Sequence, residues 1–213
     1  MFRDKPVVLA TTNVGKIKEL AEPLSRQGLK LIGLNDLDER PEIVENGTTF
    51  AQNALIKART VAEFSNLVTI ADDSGLMVDC LKGEPGIYSA RFADDWPLLE
   101  GETHDQRNIR KLLALLEGVP LDKRGARFVC AMACVRPDGR TMTVEGQWEG
   151  RILTHGVGEN GFGYDPVFFD PIIGVSAACL TAAEKNLVSH RGKALRVVLS
   201  RLEHFLDLPK LSG

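Results

Sequence analysis

Leu67-Val68-Thr69-Ile70-Ala71-Asp72-Asp73-Ser74-Gly75-Leu76 sets two adjacent carboxylates, a hydroxyl and a glycine directly behind a short apolar run. The run predicts a buried strand over 67–71 that delivers the acids at its end. Carboxylates at such a strand end suit a hard cation such as Mg²⁺, and Mg²⁺ suits a ligand that carries phosphates. Neighbouring strand residues point to opposite faces, so Asp72 and Asp73 are not expected to share one task. Asp73, with Ser74 and the flexible Gly75 beside it, is the better catalytic candidate. The plainer alternative has one carboxylate capping a turn and the other facing solvent.

Working outward, Pro6 to Ala10 reads as a strand, and Asn13 opens a helix in which Ile17, Leu20, Ala21 and Leu24 recur at helical spacing. Pro23 should kink or end that helix. A second strand is predicted from Leu29 to Leu34. After the polar loop Asn35 to Gly47, Thr49 and Gln52 form a capping-box pattern before a helix lined by Ala51, Ala54, Leu55, Ala58 and Ala62. Gly83-Glu84-Pro85-Gly86 turns into a loop from Ile87 to Trp96. Thr103 and Gln106 cap a helix that buries Ile109, Leu112, Leu113 and Leu116. Ala126 to Val135 and Thr141 to Trp148 read as strands joined through the turn Arg136-Pro137-Asp138-Gly139. A glycine-punctuated loop, Gly156 to Gly163, precedes Tyr164-Asp165-Pro166. Thr181 and Glu184 cap a short helix, and from Ser189 a long amphipathic helix closes the chain. Strands and helices alternate first and an antiparallel insertion follows, which predicts a mixed α/β fold in one domain, 1–213, without repeats or linkers.

Composition narrows the function classes. With 213 residues and 44% of them hydrophobic, the chain can bury a core. Lys and Arg total 26 against 29 for Asp and Glu, so no overall positive field is available to hold a nucleic acid, while a small anion needs only a local cationic pocket. Cys80, Cys130, Cys134 and Cys179 lack CxxC spacing, and Met1 to Pro6 lacks the apolar core of a secretory signal, so a reduced, cytoplasmic protein is expected. Cys130 and Cys134 share a strand face as small apolar residues. No apolar run approaches the roughly 20 residues of a membrane helix.

Other segments add chemistry to the acidic motif. Thr11-Thr12-Asn13-Val14-Gly15-Lys16 lies between a strand and a helix, where free N–H groups, the helix dipole and Lys16 can hold a phosphate. It lacks the Walker spacing, and Asn13 also reads simply as an N-cap. Glu45 is a candidate second acidic metal ligand, although an ordinary loop acid is the commoner outcome. Asn53 and Lys57 share a helix face, where a solvated lysine would be usual. Phe162, Gly163, Tyr164 and Asp165 combine an aromatic ring with glycines that admit a flat ligand, which suits stacking on a purine, unless Phe162 belongs to the core. Lys185, His190 and Arg191 gather donors near the start of the last helix.

Six segments taken in order resemble one family: Thr11 to Lys16, Thr49 to Ala58, Ala71 to Leu76, Pro85 to Arg91, Gly161 to Pro166 and Ser189 to Leu195. They are similar to the inosine/xanthosine triphosphate pyrophosphatases, and the resemblance runs from Val7 to the last helix. It implies a mixed, elongated central sheet flanked by helices, in two lobes with the active site in the cleft between them. It implies cleavage of ITP, dITP or XTP between the α and β phosphates with Mg²⁺, clearing deaminated purines from the nucleotide pool, by a homodimer. Asp73 is then the general base or metal ligand, with Glu45 assisting the ion. Thr11, Thr12, Asn13, Val14, Gly15, Lys16 and Lys57 serve the phosphates, and Ser74 also binds substrate. Phe162, Gly163, Tyr164, Asp165, Lys185, His190 and Arg191 serve the base, where donors favour a 6-oxo purine over adenine. Gln52 departs from the family's usual glutamate, which weakens a metal site or, if the residue only caps, changes little. Met77 also departs from the usual pattern. Two rivals are the Maf-like pyrophosphatases, which carry a Ser-x-Arg-Arg pattern after the first strand, and a nucleotide sensor without turnover.

Overall fold

The computed structural model describes residues 6–207; the rest of the N-terminal stretch read above lies outside the described residues. In chain order the elements are β1 (Val7–Leu9), α1 (Val14–Ser25), β2 (Leu31–Gly33), α2 (Phe50–Ser65), β3 (Val68–Val78), α3 (His104–Leu115), β4 (Gly125–Val135), β5 (Thr141–Ile152), β6 (Phe168–Asp170), β7 (Val175–Ser176), α4 (Ala182–Val188) and α5 (His190–Phe205). One seven-stranded sheet runs in the order β2-β1-β3-β4-β5-β6-β7. β1 pairs in parallel with both β2 and β3, Val7 lying opposite Leu31 and Val68. β6 pairs antiparallel with β5 and β7. The predicted mixed α/β sheet, parallel early and antiparallel late, is the one observed.

The strand carrying the acidic motif does not end at Ala71 as its apolar run suggested. β3 continues through Asp72 and Asp73 to Val78, because Leu76 and Val78 resume the inward alternation and are fully buried. The acids therefore sit in mid-strand. Nor does Pro23 end α1 at once: the helix runs two residues past it to Ser25. The strand expected over Leu29 to Leu34 contracts to three residues, and the loop after Pro85 contains a 3-10 turn over Gly86–Arg91. The capping boxes at Thr103 and Thr181 form as predicted.

The chain divides into two compact units. The first takes the chain up to Asp73, Cys130–Gly146 and the chain from Arg191. Its core joins Val7, Leu9, Leu20, Leu24 and Ile70 to Cys130, Met132 and Cys134 of β4 and to Leu195, Val198 and Leu202 of α5. Burial, joined at Cys130 by the charge of Asp72, pushes both thiols up to about 12, so they are apolar filling rather than nucleophiles. The second unit comprises Ser74–Val129 and Gln147–His190. Leu76, Val78, Leu112, Leu116, Trp148, Tyr164 and Val167 pack there with Phe128 and Phe168, whose rings lie 4.5 Å apart.

Arg124 closes the end of α3 in this second unit. Its buried guanidinium donates to three carbonyls, Leu116 at 2.7 Å, Val119 at 2.9 Å and Leu153 at 3.1 Å. Arg124→Met keeps the stem and strands those acceptors. Urea unfolding should show a loss of about 2–4 kcal/mol, above the range of ordinary surface substitutions.

Candidate active site

The first unit gathers a charged cluster around the two aspartates of β3. Thr11 and Asn13 shape the approach to α1: Thr11 Oγ1 accepts the Asn13 N–H at 3.2 Å, and Asn13 Oδ1 accepts the Lys16 N–H at 3.1 Å. Asn13 is thus the N-cap of α1, with Thr12, Asn13 and Val14 exposed and Gly15 partly so. One turn in, the Lys16 ammonium reaches Asp72 Oδ2 at 3.0 Å. The same oxygen receives Arg191 Nε at 3.3 Å, and Arg191 Nη1 donates to Glu19. Asp72 and Arg191 are almost wholly buried. Burial would raise the Asp72 pKa, but Lys16 and Arg191 outweigh it and hold the carboxyl far below the usual range.

Asp73 faces a different group, as strand alternation requires. Its Oδ2 accepts Asn53 Nδ2 at 3.2 Å and its Oδ1 accepts Lys57 Nζ at 3.2 Å, while Lys57 also donates to Glu45 Oε2 at 2.7 Å. Lys57 is buried rather than solvated, with its side chain 11% exposed. Desolvation raises the Asp73 pKa despite Lys57 and Lys16, which gives the carboxylate more basicity than a surface aspartate. Lys57 is pulled down by burial but raised on balance by Asp73 and Glu45, so its ammonium persists.

The loop before α2 explains Gln52. Its Oε1 accepts the Thr48 N–H at 2.7 Å and the Thr48 hydroxyl at 3.0 Å, while Thr49 remains the N-cap of α2, its Oγ1 accepting the Gln52 N–H at 3.2 Å. A neutral amide performs that task as well as a carboxylate. Asn53 ties the same loop by accepting the Gly47 N–H at 2.9 Å, and a Cβ on Gly47 would lie 2.6 Å from that oxygen. The glycine lets the loop close on α2 and brings Glu45 to Lys57.

The second unit holds the aromatic loop. Asp165, almost wholly buried, accepts Lys185 Nζ at 2.5 Å and the Phe162 N–H at 2.9 Å. Lys185 Nζ also lies 4.7 Å from the centre of the Phe162 ring. Gly161 has φ +79°, and a Cβ there would lie 2.0 Å from Asp165 Oδ2, so glycine is obligatory. Gly163 donates to Asp105 Oδ2 at 2.7 Å, and Tyr164 donates its hydroxyl to Ser89 O at 2.8 Å. Phe162 is half-buried while Tyr164 is core. His190 stacks on Phe128 at 4.8 Å.

The contacts thus join Lys57 to Asp73 and Glu45, and Lys16 to the neighbouring Asp72, in one unit, and Phe162 to Asp165 and Lys185 in the other. Ser74, next to Asp73, is half-buried. Of the three donors read together near the last helix, Lys185 donates to Asp165, His190 stacks on Phe128, and Arg191 pairs with Asp72 and Glu19. Sequence reading missed Glu19 and Asp105. Glu19 carries a faint signal, since a carboxylate three residues after Lys16 and beside Leu20 lies toward the buried side of α1.

Residues 7–201 match the model of the Ham1 family. The chain belongs to the Ham1 family. It is 55% identical over 193 residues to a dITP/XTP pyrophosphatase of Nitratidesulfovibrio vulgaris, covering 91% of this chain and 93% of that one. It is 49% identical to the dITP/XTP pyrophosphatase of Desulforamulus reducens, covering 92% and 94%. Among solved structures, a HAM1 protein from Coxiella burnetii superposes with a TM-score of 0.82 at 37% identity, covering 93% of this chain and 98% of that one. The Staphylococcus aureus Ham1 protein gives 0.79 at 39%, covering 94% and 99%.

Glu45 and Asp73 already converge on one cation, the Lys57 ammonium, and their oxygens are the donors that a hard dication prefers. Mg²⁺ is commonly held by one or two carboxylates with water and substrate phosphates, so this pair fits that role. The described residues contain no cluster of three or more His, Cys, Asp or Glu built to hold a metal. Nor do they contain a helix long and apolar enough to cross a membrane.

Asp72→Asn would leave Arg191 and Lys16 without their shared charge. Thermal and urea unfolding at neutral pH should show a loss of about 3–5 kcal/mol. Because the folded pKa is depressed, the Asp72 contribution is complete above the unfolded value near 3.9 and is lost only as pH falls below it. The gap between wild type and variant should therefore hold from pH 7 to about 5 and narrow below about 4.

Proposed function

We propose that this chain hydrolyses non-standard purine nucleoside triphosphates, dITP, ITP and XTP, to the monophosphate and pyrophosphate with Mg²⁺. The observation that carries the reading is the Asp73–Lys57–Glu45 group, a basic carboxylate beside a buried ammonium and a second acid, in a chain of this family. Asp73 takes the proton of the water that attacks the α-phosphorus, and the α–β bridging bond breaks as pyrophosphate leaves. Lys57 and Lys16 stabilise the charge that grows on the leaving group. The N–H groups of the first turn of α1, capped by Asn13 and begun by Val14 and Gly15, hold phosphate oxygens together with Thr11 and Thr12 of the loop before it. Glu45 and Asp73 hold the ion, which neutralises phosphate charge when bound.

In the second unit Phe162 stacks on the purine, with Gly163 and Tyr164 shaping the loop, while Lys185 offers a donor to a 6-oxo group, where adenine presents a donor of its own. Asp165 fixes both Lys185 and the loop backbone. Arg191, read from sequence as a base donor, also pairs with two buried carboxylates, through which it supports Asp72 and Lys16. His190, read with it as a base donor, stacks on Phe128. Gln52 Oε1 accepts from Thr48, which supports the reading of this residue as a loop cap. The same reading takes residues 1–213 as one catalytic domain, a homodimer in the cytoplasm that uses free nucleotides and neither nucleic acid nor membrane.

Pyrophosphate release should be metal-dependent with ITP and XTP and small with ATP or dTTP. Asp73→Asn keeps the Asn53 neighbourhood polar and removes the base, so turnover should fall by about 10³-fold or more with the melting curve retained. Full activity in that variant sinks the assignment. Phe162→Ala should raise KM for ITP by about tenfold with a smaller change in kcat, measured by steady-state pyrophosphate release.

A further inference from the structure

We infer that Lys57 is an internal cation that occupies the divalent-ion site of the free protein and must leave it before the ion can bind. The inference rests on the reading that Glu45 and Asp73 are the ion's ligands and extends it to the order of events.

The geometry is specific. One ammonium, Lys57 Nζ, lies 2.7 Å from Glu45 Oε2 and 3.2 Å from Asp73 Oδ1. Mg²⁺ binds such oxygens at about 2.0–2.1 Å and completes an octahedron around itself. A dication on the same two oxygens cannot share that volume with the ammonium, and the two positive charges repel across a few ångströms of partly dry protein. The side chains of Lys57 and Asp73 are only 11% and 13% exposed, so solvent screens little of that repulsion. Lys57 starts from a buried helix position, its backbone fixed in mid-α2, and only its flexible stem can move.

This arrangement gives the lysine two partners in sequence. Without nucleotide it neutralises Glu45 and Asp73 and prevents two carboxylates from facing each other unpaired. A triphosphate offers it phosphate oxygens of higher charge, so Lys57 swings to the substrate and frees the carboxylates for the ion. The ion therefore arrives with the nucleotide, and the empty protein takes it up weakly. A lysine placed only for phosphate binding would have no effect on metal uptake in the absence of nucleotide.

The test uses Mn²⁺ alone, with free ion counted by electron paramagnetic resonance on the whole chain without nucleotide. Wild type should bind weakly. Lys57→Gln and Lys57→Met should bind Mn²⁺ roughly tenfold tighter or more, since the competing charge is gone. Adding Glu45→Gln to Lys57→Gln should abolish the gain. A Lys57→Gln protein that binds no tighter than wild type overturns the inference, and so does a gain that survives Glu45→Gln.

Wild type provides a reading that does not depend on any variant folding. Acetylation of Lys57 by acetic anhydride, followed by mass spectrometry, should speed up severalfold at saturating Mn²⁺ as the amine leaves its carboxylates. An unchanged rate overturns the inference as well. Failure of the pyrophosphatase reading would show itself separately, as absence of metal-dependent pyrophosphate release from ITP by wild type, whatever the Mn²⁺ titration gives.

Discussion

A carboxylate shielded almost completely from water, Asp72, is held ionised between Lys16 and Arg191, and the first unit is organised around that constraint. Removing three charges from water is costly, and that cost is offset because each meets an opposite charge, Arg191 engaging Glu19 as well. The network links α1, β3 and α5, elements distant in sequence. It fixes the direction in which β3 presents its next residue, Asp73, and it keeps Lys16 beside the turn that precedes α1. A polar network in a core otherwise built from Val, Leu and Met specifies one register of these elements where apolar packing alone would tolerate several.

Alternation along β3 then divides the labour between adjacent acids. Asp72 turns toward two cations that keep it strongly acidic, whereas Asp73 turns toward Asn53 and Lys57 and is made more basic by burial. Two identical side chains one residue apart thereby acquire opposite chemical characters, one held strongly acidic and the other made more basic. The small residues of α2 contribute directly. Ala54 and Ala58 are fully buried, so the helix can approach closely enough for Asn53 and Lys57 to reach Asp73.

The second unit solves a different problem, holding an aromatic ring partly exposed on a loop of glycines. Such loops are mobile unless their backbone groups are paired. Here Asp165 takes the Phe162 amide and Asp105 takes the Gly163 amide, while Tyr164 is anchored in the core through Ser89. Gly161 supplies both the positive φ and the missing Cβ that let Asp165 approach. The loop is thereby ordered without covering the Phe162 ring.

Much of this was legible in the chain. The helices from Thr49, Thr103 and Thr181 announce themselves by their caps, because capping is a local bond between residues three apart. The prominence of Asp73 and the pairing of Asn53 with Lys57 on one face follow from the two periodicities of secondary structure. What failed was what depends on distant partners. The apolar run alone could not show that β3 continues to Val78, since that extension is driven by packing of Leu76 and Val78 in the second core. Nothing local told that Arg191 would meet Asp72 and Glu19, or that Lys57 would be buried against Glu45. Sequence by itself determined the order of elements, the residue types available for phosphate chemistry and the family. Tertiary structure alone decided which charges neutralise one another, because ion pairing in a dry interior depends on separations of a few ångströms between residues 12 to 172 positions apart.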